Sequence, residues 1–306
     1  MQIPVTHSIL RTLAYFELFS YPLTMQEIRF FLEQETDEDQ FQSALLQLLQ
    51  EHRLFNHGGY FSLQDQPATV TIRKENNRRA DKLLITAHRV ANFLHRFPFV
   101  TGVCISGSLS KQVANKQADI DLFIITQPGK LWIARTFMHL FKKLSFLLGK
   151  QHWFCMNYYL DESAFVIREQ NFFTAIEMLT LLPVCGVATL ERFFRANSWV
   201  QDYFPSYAQK QLKQEKRKRL LLRRMIEGCF NNRAGVALDN YLMRLTTARW
   251  KQKEANRQLN MKGNRIGLDT GKHFCKPNPK YFQEPLLQRY QKRLSEVLDQ
   301  QYEMVS

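Results

Sequence analysis

Two short groups of polar residues near the middle of the chain have the types and the spacing that phosphate chemistry requires. Gly107 and Ser108 follow an apolar stretch, and after ten further residues come Asp119 and Asp121, separated by Ile120. A glycine has no Cβ and lets a phosphate approach the backbone, while the hydroxyl of Ser108 adds a donor. Two adjacent carboxylates repel one another unless a cation lies between them, and Mg²⁺ commonly pairs carboxylates with substrate phosphates. The two groups together predict a reaction at a phosphate that uses Mg²⁺ or Mn²⁺.

Strands and a helix must position these residues. The apolar runs at 100–106 and 120–126 each predict a buried strand, and amphipathic helices are predicted at 72–97 and 131–148. The residues after the first strand should open a helix, whose free N–H groups and dipole favour an anion. Because side chains two apart on a strand emerge on one face, Asp119 and Asp121 should lie side by side.

The pattern resembles the signature of the DNA polymerase β-like nucleotidyltransferase superfamily. That signature is an apolar residue, Gly-Ser, about ten residues, and then Asp-apolar-Asp-apolar. The resemblance covers residues 99–161 and leans toward the small bacterial members related to aminoglycoside nucleotidyltransferases. The chain departs from the pattern at Ser106, which precedes the glycine in place of an apolar residue. It departs again where Lys111 keeps a positive charge but Gln112 replaces a glycine.

The resemblance implies a function and a role for each residue. A nucleoside monophosphate would be transferred from a nucleoside triphosphate, with ATP expected, to a hydroxyl group. Asp119 and Asp121 would hold the metal ion, Gly107 and Ser108 would hold the β- and γ-phosphates, and Lys111 would assist.

The superfamily usually places a third carboxylate, a metal ligand and base, on the next strand. That strand is predicted at 153–160, where the period of two places Cys155, Asn157, Tyr159 and Asp161 on one face. Asp161 would supply the carboxylate but lies at the strand's end. Asn157 is better centred and would then contact the nucleotide, but its amide cannot act as a base. The sequence leaves both possibilities open.

Residues 1–66 predict three helices followed by a hairpin, an order that resembles a winged helix. Thr24 is predicted as the N-cap of the second helix, and residues 56–59 as the hairpin turn. From residue 21 to residue 51 there are seven acidic residues and one basic residue, Arg29. A helix that enters the major groove must approach phosphates, so we expect this unit to contact protein and not to read DNA.

The formal net charge of +14 belongs mainly to the last third of the chain, where residues 205–306 contain 22 basic and nine acidic residues. Such a surface attracts polyanions or is simply a solvated helix face. The basic run at 210–224 could guide RNA or a triphosphate into the cleft. The segment 263–277 mixes glycines, bases and aromatic residues. It could cover the nucleotide, with Lys272 or Lys276 on a phosphate, or be a mobile surface loop.

These elements predict an α+β chain in three parts. Residues 1–66 form the winged-helix-like domain, 72–165 a polymerase β-like nucleotidyltransferase core with a short mixed sheet, and 166–306 a basic helical domain. The five dispersed cysteines contain no CxxC pair, which predicts reduced thiols and no zinc site. Without a spanning apolar run or a secretory leader, we expect a cytoplasmic protein that has no membrane partner.

The acceptor of the transferred group is left open by the sequence: a small hydroxylated molecule, a protein side chain and an RNA end all fit. Two other functions also fit. One is a regulator that binds nucleotide or nucleic acid through a degenerate site. The other is an antitoxin-like interaction module, in which the acidic N-terminal part and the basic C-terminal part mediate association.

Overall fold

The computed structural model describes residues 3–146, 151–205, 207, 221–259, 263 and 265–303. The helices are α1 (Val5–Glu17), α2 (Met25–Phe30), α3 (Glu38–Gln50), α4 (Ala68–Leu94), α5 (Gly107–Ser110), α6 (Leu131–Phe146), α7 (Phe172–Thr180), α8 (Val187–Ala196), α9 (Leu221–Phe230), α10 (Arg233–Ala255) and α11 (Gln283–Glu303). The strands are β1 (Leu23–Thr24), β2 (Phe55–His57), β3 (Tyr60–Ser62), β4 (Val100–Ile105), β5 (Asp121–Thr126), β6 (Cys155–Asp161), β7 (Leu182–Cys185), β8 (Leu268–Thr270) and β9 (Phe274–Pro277). The chain therefore belongs to the α+β class, as predicted.

The three helices and the hairpin predicted in the first 66 residues are present, and β1 adds a third strand to give the antiparallel order β1-β3-β2. Thr24 caps α2 as predicted: its hydroxyl accepts from the Glu27 amide at 3.3 Å, and the Glu27 carboxylate accepts from the Thr24 amide at 2.8 Å. Gly58 and Gly59 form the two-residue turn of the hairpin in the left-handed conformation that such turns require.

A six-stranded mixed sheet with the order β7-β4-β5-β6-β9-β8 lies at the centre. Strands β5 and β6 are parallel and are joined through α6, whereas every other neighbouring pair is antiparallel. Leu122 and Ile124 pack with the buried residues of α4 and α6, whereas Phe123 and Ile125 pack with those of α7 and α8. Helices therefore cover both faces of the sheet, which explains why β5 is apolar at consecutive positions.

Three strands of this sheet come from a part of the chain predicted to be helical or irregular. Strand β7 pairs with β4, and β9 pairs with β6, with Tyr159 opposite Cys275. The division predicted between residues 165 and 166 therefore separates strands of one sheet.

The last helix returns to the first. Tyr290 and Val297 of α11 are buried in the cluster that contains the core of α1 to α3. Arg293 pairs with Glu17 of α1 at 2.7 Å. Within the described part of the chain, no helix has the length and apolar composition to cross a membrane.

Candidate phosphate and metal site

The turn after β4 lies directly against a carboxylate at the start of β5. Gly107 has φ +68°, a left-handed conformation that other L-residues rarely adopt, and a Cβ placed on it would lie 2.4 Å from Oδ2 of Asp121. The amide of Ser106 donates to the carbonyl of Asp121 at 2.9 Å and fixes the two strands at this point. Both the conformation and the space require glycine at residue 107.

The two aspartates flank the buried Ile120 as the chain enters β5. Ile120, between them, is fully buried in the cluster with α4 and α6. Its amide donates to the carbonyl of His152 at 3.0 Å, and its carbonyl accepts from the amide of Cys155 at 3.2 Å, which extends the pairing with β6. Asp119 and Asp121 therefore alternate with a core residue and are themselves half-buried.

A β-bulge in β6 brings Asn157 to the pair. Leu122 is opposite Met156 and Phe123 is opposite Tyr158, so Asn157 is the additional residue between two paired positions. Its Nδ2 donates to Oδ1 of Asp121. An amide thus occupies the position beside Asp121 where the superfamily pattern implies a carboxylate.

The thiol of Cys155 completes this contact by donating to Oδ1 of Asn157 at 3.1 Å. Burial raises the pKa of Cys155 to about 12, and the charge of Asp121 adds to the effect. The thiol therefore keeps its proton at neutral pH and remains a donor, which holds the Asn157 oxygen away from the aspartate.

Asp161, one of the two residues considered for the third position, does not lie beside Asp121. It is opposite Thr126, five residues along β5 from Asp121, or roughly 17 Å at the rise of a strand. It is fully buried, and its carboxylate accepts from the amides of Gly129 and Ser163 at 3.0 and 2.8 Å. Nδ1 of His273 lies 2.9 Å from the same carboxylate. Asp161 therefore has a structural role at the turn before α6.

The predicted phosphate residues lie together at the Gly107 turn. Ser108 is exposed, and Lys111 follows α5 as its C-cap residue. Nζ of Lys111 donates to the carbonyl of Gly107 at 3.1 Å and to Oε1 of Glu177 at 2.6 Å. The ammonium group is therefore at the turn, but it is already paired with a carboxylate from α7.

Two residues of this neighbourhood were missed by sequence reasoning. Glu177 is the one charged residue in the apolar helix α7. A single charge in an apolar helix indicates that the side chain has a charged partner, and this could have been noted from the sequence. His152 lies in a short 3₁₀ turn before β6, and its Nδ1 is 2.6 Å from Oδ1 of Asp119, with 47% of its side chain exposed. No spacing pattern indicated His152, because the contact arises from the pairing of β5 with β6.

The donor set fits a metal ion that brings its own phosphate ligands. No group of three or more His, Cys, Asp or Glu side chains suited to a metal ion occurs among the residues that the structure describes. Asp119 and Asp121 would be the protein ligands, and Mg²⁺ commonly takes one or two carboxylates and fills its remaining positions with water and substrate oxygens. The arrangement fits an open site of that kind better than a closed structural site.

The other predicted substrate contacts lie elsewhere. Arg223 donates to the carbonyls of His95 and Val100, at the end of β4 opposite Gly107, and residues 210–220 of the basic run lie outside the described residues. Lys276 is buried and pairs with Glu169 and Asp269. Lys272 is exposed at the turn between β8 and β9, on the side of the sheet that ends with Asp161.

Comparisons with known proteins add nothing to this geometry. No family model matches the chain, and no curated protein or solved structure gives a significant match. The arrangement of the residues around Gly107 and Asp121 is therefore the basis for assigning a function.

Proposed function

We propose that the chain is a metal-dependent nucleotidyltransferase that moves a nucleoside monophosphate from a nucleoside triphosphate to a hydroxyl. The main support is the contact between the Gly107 turn and the carboxylate of Asp121. A phosphate on that turn would lie beside the metal-binding pair, so one small region would hold both the triphosphate and its cation. The mixed sheet with β5 and β6 parallel supports a polymerase β-like core, and the first 66 residues support a winged-helix-like unit.

Each residue has a defined part in this reaction. Asp119 and Asp121 would hold Mg²⁺ or Mn²⁺, and the backbone of Gly107 with the hydroxyl of Ser108 would bind the β- and γ-phosphates. Lys111 supports the Gly107 carbonyl and adds positive charge at the turn. A bound Mg²⁺ supplies neutralisation of phosphate charge and polarisation of the α-phosphorus.

The bond changes are those of an in-line displacement. The oxygen of the acceptor hydroxyl forms a bond to the α-phosphorus, and the bond from that phosphorus to the bridging oxygen breaks. Pyrophosphate leaves with the electron pair, and the proton of the hydroxyl passes to solvent, since Asn157 cannot accept it. ATP is the proposed donor, and the acceptor is a small hydroxylated molecule, a protein side chain or an RNA end.

One observation favours a second candidate function, a regulator that binds nucleotide or nucleic acid without turnover. The amide of Asn157 occupies one lone pair of Asp121 and provides no base. Such a site would retain affinity for a metal–nucleotide complex and lose the chemical step.

The test is to incubate the purified chain with each α-labelled nucleoside triphosphate, Mg²⁺ or Mn²⁺, and a cell extract as the source of acceptor. We expect label on an RNA, protein or small-molecule fraction, and loss of that label in Asp119→Asn and Asp121→Asn. The matched control is Asp81→Asn, which removes an exposed carboxylate on α4.

Calorimetric titration of Mn²⁺ with a non-hydrolysable triphosphate separates the two candidates. Binding that depends on both aspartates, without transfer to any fraction, would support the regulator. The absence of both binding and transfer would refute both candidate functions.

A further inference from the structure

Helix α9 packs against the protein with its charged side. Arg223 pairs with Glu227 one turn later at 2.7 Å. The guanidinium donates to the carbonyls of His95 and Val100 at 2.7 and 2.8 Å, and the Glu227 carboxylate accepts from the amide of Phe99 at 2.9 Å. This ion pair forms hydrogen bonds with the backbone groups of the turn between α4 and β4. Arg223 and Glu227 therefore hold α9 against the rest of the protein.

The opposite side of α9 is apolar and faces solvent. Leu221, Leu222 and Met225 are 74%, 67% and 62% exposed. Met225 is four residues from Leu221 and three from Leu222, so it adjoins both on the helix surface. A surface helix normally has the reverse orientation, with its apolar side inward. Exposed apolar side chains grouped in this way are a feature of interaction sites.

The exposed charge on α9 and on α10, the next helix, is positive. Every exposed charged residue of α9 and α10 is basic: Arg224, Arg233, Arg244, Arg249, Lys251 and Lys253. The three acidic residues of these helices are Glu227, Asp239 and Glu254, none of them exposed. A partner for this surface must therefore present apolar side chains and negative charge together.

The same chain carries such a surface in its first 66 residues, which contain nine acidic and three basic residues. Met25 and Phe30 of α2 are exposed large apolar residues. Glu35, Glu38 and Asp39 follow α2 in the chain and are exposed acidic residues, and Glu38 pairs with the exposed Arg29 of α2. We call Met25, Phe30 and these three acidic residues the α2–α3 face, and Leu221, Leu222, Arg224 and Met225 the α9 face.

The two faces lie at opposite ends of α4. Near its start, Arg73 pairs with Glu27 of α2, and just after its end, the carbonyl of His95 accepts from Arg223 of α9. The 27 residues of α4 span about 40 Å at the rise of an α-helix. The two faces of one chain are therefore too far apart to meet within that chain.

We propose that the α9 face of one chain docks on the α2–α3 face of a second copy, head to tail. Apolar contact would supply affinity, and opposite charges would set the orientation of the copies. Because the joined surfaces differ, each copy keeps one face open for a further copy.

The experiment measures the mass of the full chain by sedimentation velocity over about a hundredfold range of concentration. We expect mass above that of one chain at about 0.05 M salt, and dissociation at about 0.5 M salt, where charges are screened. Leu222→Gln/Met225→Gln and Met25→Gln/Glu35→Lys should each remain single chains. The control Ile85→Gln changes an equally exposed apolar residue in the middle of α4 and should associate like the unchanged protein.

Mixing the two double variants is the decisive step. Each variant retains one intact face, so the mixture should form two-chain particles although neither component associates alone. Failure of the mixture to associate would overturn the head-to-tail arrangement. A single-chain mass for the unchanged protein at every concentration would overturn the proposal, and binding of a nucleic acid or acidic peptide in that case would identify a different occupant. Circular dichroism and thermal unfolding establish that each variant is folded.

Discussion

Nδ2 of Asn157 donates a hydrogen bond to Oδ1 of Asp121 through a bulge that interrupts the pairing of β5 with β6. Cys155 is opposite Asp121, and Asn157 follows two residues later as the additional residue of the bulge, after which the alternation of β6 is reversed. The residue at this position therefore controls the charge of the site without being part of the aspartate pair.

Replacement of the amide by a carboxylate is the most direct probe of this relationship. In Asn157→Asp, three carboxylates would repel one another without a cation, so we expect a lower melting temperature that added Mg²⁺ restores. Metal affinity, measured by calorimetric titration of Mn²⁺, should increase by about tenfold or more, since a neutral group becomes an anionic ligand. Unchanged metal affinity would show that residue 157 lies outside the coordination sphere.

Gly107→Ala should eliminate nucleotide binding. The left-handed conformation costs an L-residue about 1–2 kcal/mol, and the added methyl group would collide with Oδ2 of Asp121. Gly59→Ala is the matched control, because Gly59 has φ +85° and nothing within 4 Å of an added Cβ. We expect the control to lose stability in urea unfolding but to bind nucleotide normally. Equal nucleotide affinity in both variants would refute a phosphate role for the Gly107 turn.

Lys111 and Glu177 offer a test that separates stability from binding. Lys111→Met would leave the half-buried Glu177 without the ammonium 2.6 Å away, which lowers stability, and would remove positive charge from the turn. Adding Glu177→Gln should recover much of the stability, because the unpaired charge is removed. The KM for nucleotide should remain raised by about tenfold in the double variant if Lys111 contacts phosphate. Recovery of both the stability and the KM in the double variant would mean that the Lys111–Glu177 pair only supports the fold.

The stability of the chain should depend on pH through Asp239. Its Oδ1 accepts from the amide of Ile133 at 2.9 Å at the start of α6, and burial raises its pKa to about 6 from the ordinary 3.8. The folded state thus binds a proton more tightly than the unfolded state. This contribution is fully present below pH about 4 and is lost as pH rises through about 6.

Urea unfolding of the unchanged chain and of Asp239→Asn checks the sign. The difference in unfolding free energy between them should move in favour of the asparagine variant as pH rises from about 4 to about 7. The asparagine oxygen still accepts from Ile133, so the cap is kept at every pH. A difference that is constant across this range would contradict the raised pKa.

The elements around the aspartate pair were predictable, because their signals are local. The strands at β4 and β5 are apolar runs, the N-cap at Thr24 has its partner three residues later, and glycine at residue 107 follows a strand directly. The side on which Asp119 and Asp121 lie follows from the period of a strand alone.

The predictions that the structure contradicts concern features that depend on distant parts of the chain. A bulge cannot be read from alternation, so the period of two wrongly placed Asn157 and Asp161 on one face. Strands β8 and β9 are short and contain glycine, proline and lysine, and only the free edge of β6 makes them strands. Lys276 looked like a phosphate ligand because its carboxylate partners, Glu169 and Asp269, are not adjacent in sequence.

The packing of α11 on α1 has a consequence for the order of synthesis. The ribosome releases the first 66 residues long before Tyr290 and Val297, which cover the core of that unit, have been made. At about 5–20 residues per second, the delay is on the order of ten to forty seconds. During this time the surface of α1 that later binds α11 is open to chaperones and to neighbouring nascent chains. The packing around α1 is therefore completed only when α11 has been made, and a ribosome-bound chain that stops at residue 282 should be cleaved by protease within α1.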